Sequence, residues 1–387
     1  MNIQIITSSY PATPEDPSGT MGLFVRQFAI ELAAMGHTVV VQPVARKNEY
    51  QPDPGINIVP TPWKGGDQEL ASMNFMSPRN WWIFLLLFIN GAKNTIAINK
   101  KYKINRTLCI LAVPSGIFGI AGKFQNKVPY DIWVLGSDIW KTRKIPLLGK
   151  IVLKNVVKYS DRIFADGIQL CQDVQELTGA KCELLLTSRK LPPPQKQFFL
   201  SDPPGLYHFL FVGRYHVNKG PDLLVKAIGC LPNHIRESIR VHMFGLGPLE
   251  KELEKMISEM RLESCIDFHG PIQAQEFSNY LDNVSFLIIP SRIESIPIVF
   301  SDAMQLNTPV ISMPVGDLES LIHKFKCGIV AGEISPEALA SAIKEALSHS
   351  KDSFKDSTSA AYEQFEIKKA VHAWLNFNAV NQGHKNT

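Results

Sequence analysis

The chain has 387 residues, which is too long for one ordinary hydrophobic core and sufficient for two domains. A composition of 45% apolar and 20% charged residues is typical of globular proteins and excludes a disordered or fibrous chain. The formal charge of +4 is too small to indicate a nucleic-acid partner, but it is compatible with anionic ligands or an anionic membrane surface.

Short apolar runs alternate with longer segments of helical period from residue 2 onward. NIQIIT, HTVVVQPV, TLCILAV, DIWVLG and RIFAD are strand-like, and LFVRQFAIELAAMG is helix-like. This alternation predicts an α/β fold with a parallel sheet covered on both faces. The apolar run WWIFLLLFI, residues 81–89, is shorter than the roughly 18–20 residues of a membrane-spanning helix, so we interpret it as a core helix and expect no transmembrane segment.

The alternation breaks once and then restarts. Residues 188–206 are rich in proline and have no period, which indicates a linker. After it, FLFVG, RVHMFG, CIDFHG, FLIIP and PVISM read as strands of a second Rossmann-like sheet. The predicted domains are residues 1–187 and 207–361.

The N-terminus and the cysteines bear on the compartment. MNIQIITSSY is strand-like and has no basic region followed by an apolar run, so we expect no signal peptide. The six cysteines are scattered without metal-ligand spacing, which predicts reduced thiols in a cytoplasmic protein. No set of histidine and acidic residues has ligand spacing either, so no metal site is predicted.

The segment FVGRYHVNKGPD, residues 211–222, places two cations between a strand and a helix. The strand ends at Gly213, the loop carries Arg214 and Lys219, and Gly220-Pro221 begins the helix. A helix N-terminus beside two cations is an anion site, most naturally for phosphate. The alternative is that both cations are solvated surface charges. His216 and Asn218 lie between them and could contact oxygens of the ligand, although such loop residues mostly face solvent.

A second glycine loop, FGLGPLEKEL, residues 244–253, also lies between a strand and a helix. Gly245 and Gly247 would let backbone amides approach a ligand, although glycines after strands often serve packing. The first strand is not followed by G-x-G-x-x-G, the signature of a nicotinamide-dependent enzyme.

Two carboxylates, Glu294 and Asp302, lie in PSRIESIPIVFSDAM, residues 290–304. Carboxylates close to a phosphate site are costly unless they accept hydrogen bonds from hydroxyls, which a sugar nucleotide offers. The alternative is that Asp302 favours a helix N-terminus and Glu294 is solvated.

These three motifs, in this order and at these intervals, resemble those of the retaining GT-B glycosyltransferases of family four (glycosyl transferases group 1). The resemblance extends over nearly the whole chain. It implies an α/β GT-B fold in which two Rossmann-like domains face each other across a cleft. It also implies that a C-terminal helix, about 362–387, packs back onto the first domain.

The resemblance implies roles for the residues of these motifs. Arg214 and Lys219 would bind the donor diphosphate and neutralise the leaving group, and Glu294 would act beside the donor sugar. Asp302 would bind the ribose hydroxyls. The implied catalytic residues are Arg214, Lys219 and Glu294, and the implied donor-binding residues are Gly213, Gly245, Gly247, Glu294, Ser295, Ile296 and Asp302. The nucleotide-sugar is a substrate, so no cofactor and no metal are implied.

Two segments of the first half resemble the acceptor side of the family. PSGTMGLFVRQF suggests Gly19 and Gly22, and VLGSDI suggests Asp138. The chain also departs from the family pattern. Asp302 stands where the family has a glutamate, and Leu135 stands where it has a histidine, which weakens any assignment of an acid or base in this half.

The segment KTRKIPLLGKIVLKNVVKYSDR, residues 141–162, holds seven basic residues and one acidic residue. Its apolar residues lie at helical spacing, so it is either an amphipathic helix for an anionic membrane surface or a solvated helix of the domain.

The expected function is retaining transfer of a sugar from a nucleotide-sugar to a saccharide or lipid-linked glycan, in cell-surface polysaccharide or glycoconjugate synthesis. The expected location is cytoplasmic, with peripheral contact at the inner face of the membrane. The alternatives are a sugar-nucleotide epimerase of the same fold and a non-catalytic relative that binds nucleotide-sugars or glycans.

Overall fold

The computed structural model describes residues 1–13, 22–45, 49–51, 53–66, 77–136, 138–140, 148–198, 200 and 205–382. The chain divides into two compact units, Met1–Leu186 with Ile367–Thr387, and Thr187–Glu366. Gly19 and residues 141–147 of the basic segment lie outside the described residues.

The first unit is built on a parallel sheet of seven strands in the order β3-β2-β1-β4-β5-β6-β7. These strands are short, mostly β-branched runs that are buried along most of their length, as expected for a parallel sheet between helical layers. They are β1 Asn2–Ile6, β2 Thr38–Gln42, β3 Ile56–Ile58, β4 Arg106–Ile110, β5 Tyr130–Val134, β6 Arg162–Ala165 and β7 Glu183–Leu184.

Helices lie between successive parallel strands of this sheet, as in βαβ units. Among the described residues they are α1 Leu23–Ala34, α2 Pro78–Lys101, α3 Ser115–Asn126, α4 Leu148–Tyr159 and α5 Ile168–Thr178. Glycines allow close helix packing, because Gly91 of α2 faces the Phe118 ring of α3, and Gly116 of α3 faces Val156 of α4. A chain of buried hydrogen bonds fixes α2 to the sheet, since the Thr95 hydroxyl donates to Gln42 Oε1 at 2.8 Å.

Helix α2 differs from the core helix expected for WWIFLLLFI. It continues to Lys101, and among the described residues it is the one helix that is long and apolar enough to span a membrane by length and composition. Its inner face is buried, but Trp81, Trp82, Leu85 and Ile89 are exposed by 62%, 66%, 46% and 41%. We interpret it as a helix of the domain because Thr95 on its inner face is buried and donates to Gln42 of β2.

The C-terminal helix, α14 Ile367–Gln382, belongs to the first unit. Its Trp374 indole is fully buried and donates to Asp131 Oδ2 of β5 at 2.9 Å. Arg106 and Arg162 bind the same buried carboxylate, each at 2.6 Å. Two cations and an indole donor therefore satisfy Asp131 and hold the chain end on the sheet.

The second unit is built on a parallel sheet of six strands in the order β10-β9-β8-β11-β12-β13. The strands are β8 Tyr207–Val212, β9 Ile239–Phe244, β10 Ile266–His269, β11 Phe286–Ile289, β12 Val310–Ser312 and β13 Gly328–Val330. Its helices are α6 Pro221–Cys230, α7 Asn233–Arg236, α8 Glu250–Glu259, α9 Ala274–Asn283, α10 Ile298–Gln305, α11 Leu318–Phe325, α12 Pro336–Ala346 and α13 Lys355–Tyr362.

The stretch interpreted as a linker groups with the second unit. The Leu191 N–H donates to Gln305 Oε1 at 3.0 Å, and the Gln195 N–H donates to Asn279 Oδ1 at 2.8 Å. Long-range hydrogen bonds thus anchor this proline-rich segment, which its composition does not reveal.

Candidate active site

The predicted donor residues lie at the point where the strand order of the second sheet reverses. Strand β8 lies between β9 and β11, so the loops after β8 and β11 diverge to opposite sides of the sheet. Open parallel sheets bind ligands at this position, because the diverging loops leave a crevice at the carboxyl ends of the strands.

The loop after β8 holds Lys219 in a defined turn. Residues Val217–Lys219 form one turn of 3-10 helix, and His216 precedes it as the N-cap. The Asn218 N–H donates to His216 Nδ1 at 3.2 Å, and the Lys219 N–H donates to the His216 carbonyl at 2.9 Å. His216 therefore shapes the loop that carries the cation. Arg214, earlier in the same loop, has an exposed side chain.

Lys219 and Glu294 meet across the switch point. The Lys219 ammonium donates to Glu294 Oε1, which also accepts from the Ser291 hydroxyl at 2.9 Å. The Glu294 side chain is 11% exposed and that of Lys219 is 35% exposed. The structure thus brings together two of the three residues predicted to be catalytic, one from each loop.

Arg292 ties the same two loops together. Its guanidinium donates to both Asp222 carboxylate oxygens, at 2.7 and 2.6 Å, and to the Val217 carbonyl at 2.7 Å. Burial alone would raise the pKa of Asp222, but the bonds from Arg292 outweigh it and hold this pKa below its usual value. Asp222 lies in the first turn of α6, where a carboxylate is also favoured by the helix dipole.

Gly245 and Gly247 lie against the backbone of the preceding loop. A side chain at Gly245 would collide with the Gly213 carbonyl, and one at Gly247 would collide with the Tyr215 backbone. The Tyr215 N–H donates to the Leu246 carbonyl at 2.9 Å, which joins the two loops. The glycines are therefore required for loop packing, the alternative that the sequence left open.

The Asp302 carboxylate is fully buried and bound by Arg189. The Arg189 guanidinium donates to Oδ1 at 3.0 Å and to Oδ2 at 2.7 Å. Burial raises the pKa of Asp302, and the Arg189 charge opposes that shift. Glu294 and Asp302, which the sequence presents as a pair, thus have different partners. Ser295 and Ile296 follow Glu294 and are both buried.

Gly22 and Asp138, the described residues that were predicted to lie on the acceptor side, belong to the first unit. Gly22 precedes α1 and lies against the Ser9–Tyr10 backbone. Asp138 is buried and accepts from the Ala112 N–H at 2.7 Å and the Leu135 N–H at 3.2 Å. Burial raises its pKa, and these backbone donors oppose the shift. Asp138 therefore ties together the loops after β4 and β5.

Sequence reasoning missed two arginines at this site. Arg292 is adjacent to the predicted residues and could have been found as a cation inside PSRIES. Arg189 lies 113 residues from Asp302, in a segment interpreted as a linker, and no pattern in the sequence signals that pairing. Taken together, these residues place cations and a carboxylate at the switch point of the second sheet, where a phosphate group could bind.

Comparison with known proteins agrees with this geometry. Residues 195–364 match the family described as "Glycosyl transferases group 1". The D-inositol 3-phosphate glycosyltransferase of Arthrobacter sp. (strain FB24) is 30% identical over 141 residues, which is 35% of this chain and 33% of that protein. The aligned part thus spans about a third of the length of this curated relative.

Two solved structures match over the full length. Sucrose-phosphate synthase from Thermosynechococcus elongatus has a TM-score of 0.78 at 17% identity, covering 99% of this chain and 100% of that chain. Anabaena HepE in complex with UDP-glucose has a TM-score of 0.70 at 13% identity, covering 98% of this chain and 100% of that chain. The predicted α/β class and GT-B fold are confirmed: the chain has the GT-B fold, and its residues 195–364 match the Glycosyl transferases group 1 family.

Proposed function

We propose that this protein is a glycosyltransferase of family four that moves a sugar from a nucleotide-sugar to a saccharide or lipid-linked glycan, with retention at the anomeric carbon. The observation that carries the proposal is the contact between Lys219 and Glu294 at the switch point of a domain that matches the family.

The chemistry follows from the charges at this site. Departure of a nucleoside diphosphate leaves negative charge on its phosphate oxygens, and prearranged cations lower the barrier by stabilising that charge. Arg214 and Lys219 supply the cations, and the N-terminus of α6 adds its dipole. Glu294 holds Lys219 in place and presents a carboxylate to the hydroxyls of the donor sugar. No step in this scheme requires a cofactor.

The first experiment is a donor panel. The purified protein is incubated with UDP-, GDP- and ADP-sugars, with and without saccharide acceptors, and products are read by mass spectrometry. UDP-glucose is the first choice because a neighbour of the same fold binds it. We expect one donor to release nucleoside diphosphate, and the anomeric configuration of the glycoside, read by nuclear magnetic resonance, to match that of the donor.

The variant Arg214→Ala tests the assigned role. We expect turnover to fall by about 100-fold or more, as for other groups that stabilise transition-state charge. Lys255→Ala, an exposed lysine of α8, is the control and should keep full activity. Unchanged turnover in Arg214→Ala would overturn the role, a donor isomer would indicate an epimerase, and donor binding without any product across the acceptors would indicate a binding protein.

We also propose a cytoplasmic protein that contacts an anionic membrane through its first unit, as suits a lipid-linked acceptor in cell-surface polysaccharide or glycoconjugate synthesis. The exposed residues of α2 support this. Trp81, Trp82, Leu85 and Ile89 are followed on the same face by Lys93 and Lys100, so an apolar stripe passes into a basic one. Tryptophan favours the membrane interface, and lysine favours anionic headgroups.

Cosedimentation with vesicles of phosphatidylglycerol or phosphatidylcholine tests this contact. We expect binding to the anionic vesicles, reduced by salt and lost in the double variant Trp81→Ala/Trp82→Ala. Ile334→Ala removes a comparably exposed apolar residue of the second unit and should bind like the wild type. Absence of binding to anionic vesicles at low salt would contradict the proposal.

A further inference from the structure

Three neighbouring strands of the second unit place five ionisable residues on one face of the sheet. Asp267 of β10 lies opposite His242 of β9, and His269 follows two residues later on the same face. His208 of β8 pairs with Arg240, which shares its face with His242. The register of three strands thus gathers residues that are 34 and 25 positions apart along the chain.

The side-chain atoms of this cluster converge. One ligand atom from each of His242, Asp267 and His269 lies within 4.8 Å of the other two. His242 Nδ1 is 3.1 Å from Asp267 Oδ2, which is close to the separation of two ligands in one tetrahedral zinc shell.

Two of these nitrogens are buried without a hydrogen-bond partner. They are Nδ1 of His242 and Nε2 of His269, and His242 as a whole is only 3% exposed. Buried polar atoms are almost always satisfied, so unsatisfied ones call for an explanation such as a bound ion. Two such atoms beside one carboxylate are more than an isolated packing defect.

The side chains next to His242 and His269 would hold both rings in place as metal ligands. If Nδ1 binds a cation, the ring proton must lie on Nε2, and Nε2 is 3.1 Å from Nδ1 of His208. That contact is the outer-shell hydrogen bond by which ligating histidines are oriented. On the other side, Phe244 stacks on the His269 ring with 4.5 Å between centroids, which limits its rotation.

We propose that His242, Asp267 and His269 bind one divalent transition-metal ion of the zinc type. Two imidazole nitrogens and one carboxylate oxygen are ligands that Zn²⁺ accepts, and water would complete a tetrahedral shell. The site is separate from the Lys219–Glu294 contact and does not depend on the proposed transfer. One hydroxyl connects it to the donor loop, because Tyr215 donates to the His269 carbonyl at 2.8 Å.

Metal content and a coordination spectrum test the site without any assay of activity. Untagged protein is stripped with a chelator, loaded with Zn²⁺ or Co²⁺, freed of excess metal and measured by elemental mass spectrometry. We expect one ion per chain and, for Co²⁺, the intense visible bands of a tetrahedral centre, displaced by Zn²⁺. Absence of a stoichiometric ion, or an octahedral spectrum typical of adventitious surface binding, would overturn the proposal.

Variants locate the ion. His269→Ala and Asp267→Asn should lose it, whereas His323→Ala, which removes an exposed histidine of α11, should keep it. His208→Gln tests the outer shell and should weaken affinity by about 10- to 100-fold while leaving the stoichiometry unchanged. Circular dichroism checks that each variant is folded. The Co²⁺ spectrum of the wild-type protein tests the site even if a variant does not fold. Full retention of the ion in folded His269→Ala would overturn the assignment.

Discussion

The Lys219 ammonium contacts the carboxylate of Glu294, which lies 75 positions later in the chain. The contact joins the loops after β8 and β11, the two strands that flank the switch point. A partly exposed ion pair contributes only about 0–1 kcal/mol to folding, so its value to the protein lies mainly in holding a cation at the crevice.

From this balance we expect Lys219→Ala to lower turnover by about 10²- to 10³-fold while hardly changing the thermal transition. Steady-state kinetics with the donor that the nucleotide-sugar panel identifies, together with a melting curve, would measure both quantities. Lys255→Ala should change neither, because that lysine is exposed and pairs with Glu259 of the same helix. Wild-type turnover in Lys219→Ala would contradict the role, and a large fall in melting temperature would assign the residue to stability instead.

The glycine loop gives a second prediction. Gly247 has no room for a side chain against the Tyr215 backbone, so we expect Gly247→Ala to displace the loop that carries Arg214. Activity should fall by at least about tenfold, because a small misplacement of catalytic groups is costly. Gly332→Ala is the matched control, since a methyl group there meets nothing within 4 Å. Equal activity of the two variants would show that the loop absorbs the methyl group.

The sequence predicts much of this fold because each buried parallel strand can be recognised from a short stretch of residues. Runs such as HTVVV and FLIIP are recognisable by composition alone, and the loops that follow them carry the motif residues. The positions of Arg214, Lys219 and Glu294 were predictable to the same extent, since all three lie in the loops that follow such strands. What the motifs do not contain is the partner of each side chain.

Partners set by distant chain segments were not predictable. The pairing of Arg189 with Asp302 and the convergence of His242 with His269 depend on packing and strand register, which single-sequence periodicity does not resolve. The exposed face of α2 was missed for another reason. WWIFLLLFI is apolar on every side, so its period does not show which face the domain covers.

The buried pair of Arg189 and Asp302 gives a third prediction. Arg189→Leu leaves a carboxylate uncompensated in a fully buried position, so we expect a loss of about 3–5 kcal/mol in unfolding free energy of the second unit. The double variant Arg189→Leu/Asp302→Leu should regain most of that loss, because no charge is then left buried. Chemical denaturation of the three proteins measures these values.

Donor binding in the same double variant separates two roles of Asp302. If its carboxylate only pairs with Arg189, the refolded double variant should bind donor normally. If it also accepts bonds from the ribose hydroxyls, as the family resemblance implies, the KM for donor should rise even though stability has returned. Failure of the double variant to regain stability would contradict the ion-pair account.

The pH dependence of stability gives a fourth prediction, through Asp222. The pKa of Asp222 is lowered from its ordinary 3.8, so the folded chain keeps this carboxylate ionised where the unfolded chain takes up a proton. The stabilisation is therefore complete above about pH 4, the usual Asp pKa, and is lost as the pH falls through the lower folded-state value. Asp222→Asn should remove it, costing about 1–3 kcal/mol at pH 7 through the weakened bonds from Arg292.

Urea denaturation from pH 7 down to pH 3 would measure this effect as the difference between wild type and Asp222→Asn. The difference should shrink as the pH falls below about 4, because protonation of the wild-type carboxyl progressively removes the same charge. Asp356→Asn, which changes an acidic residue in the first turn of α13, is the control for generic acid effects. A difference that stays constant down to pH 3 would mean that the Asp222 carboxylate is not what Arg292 stabilises, and that the two loops are joined mainly through the Val217 carbonyl.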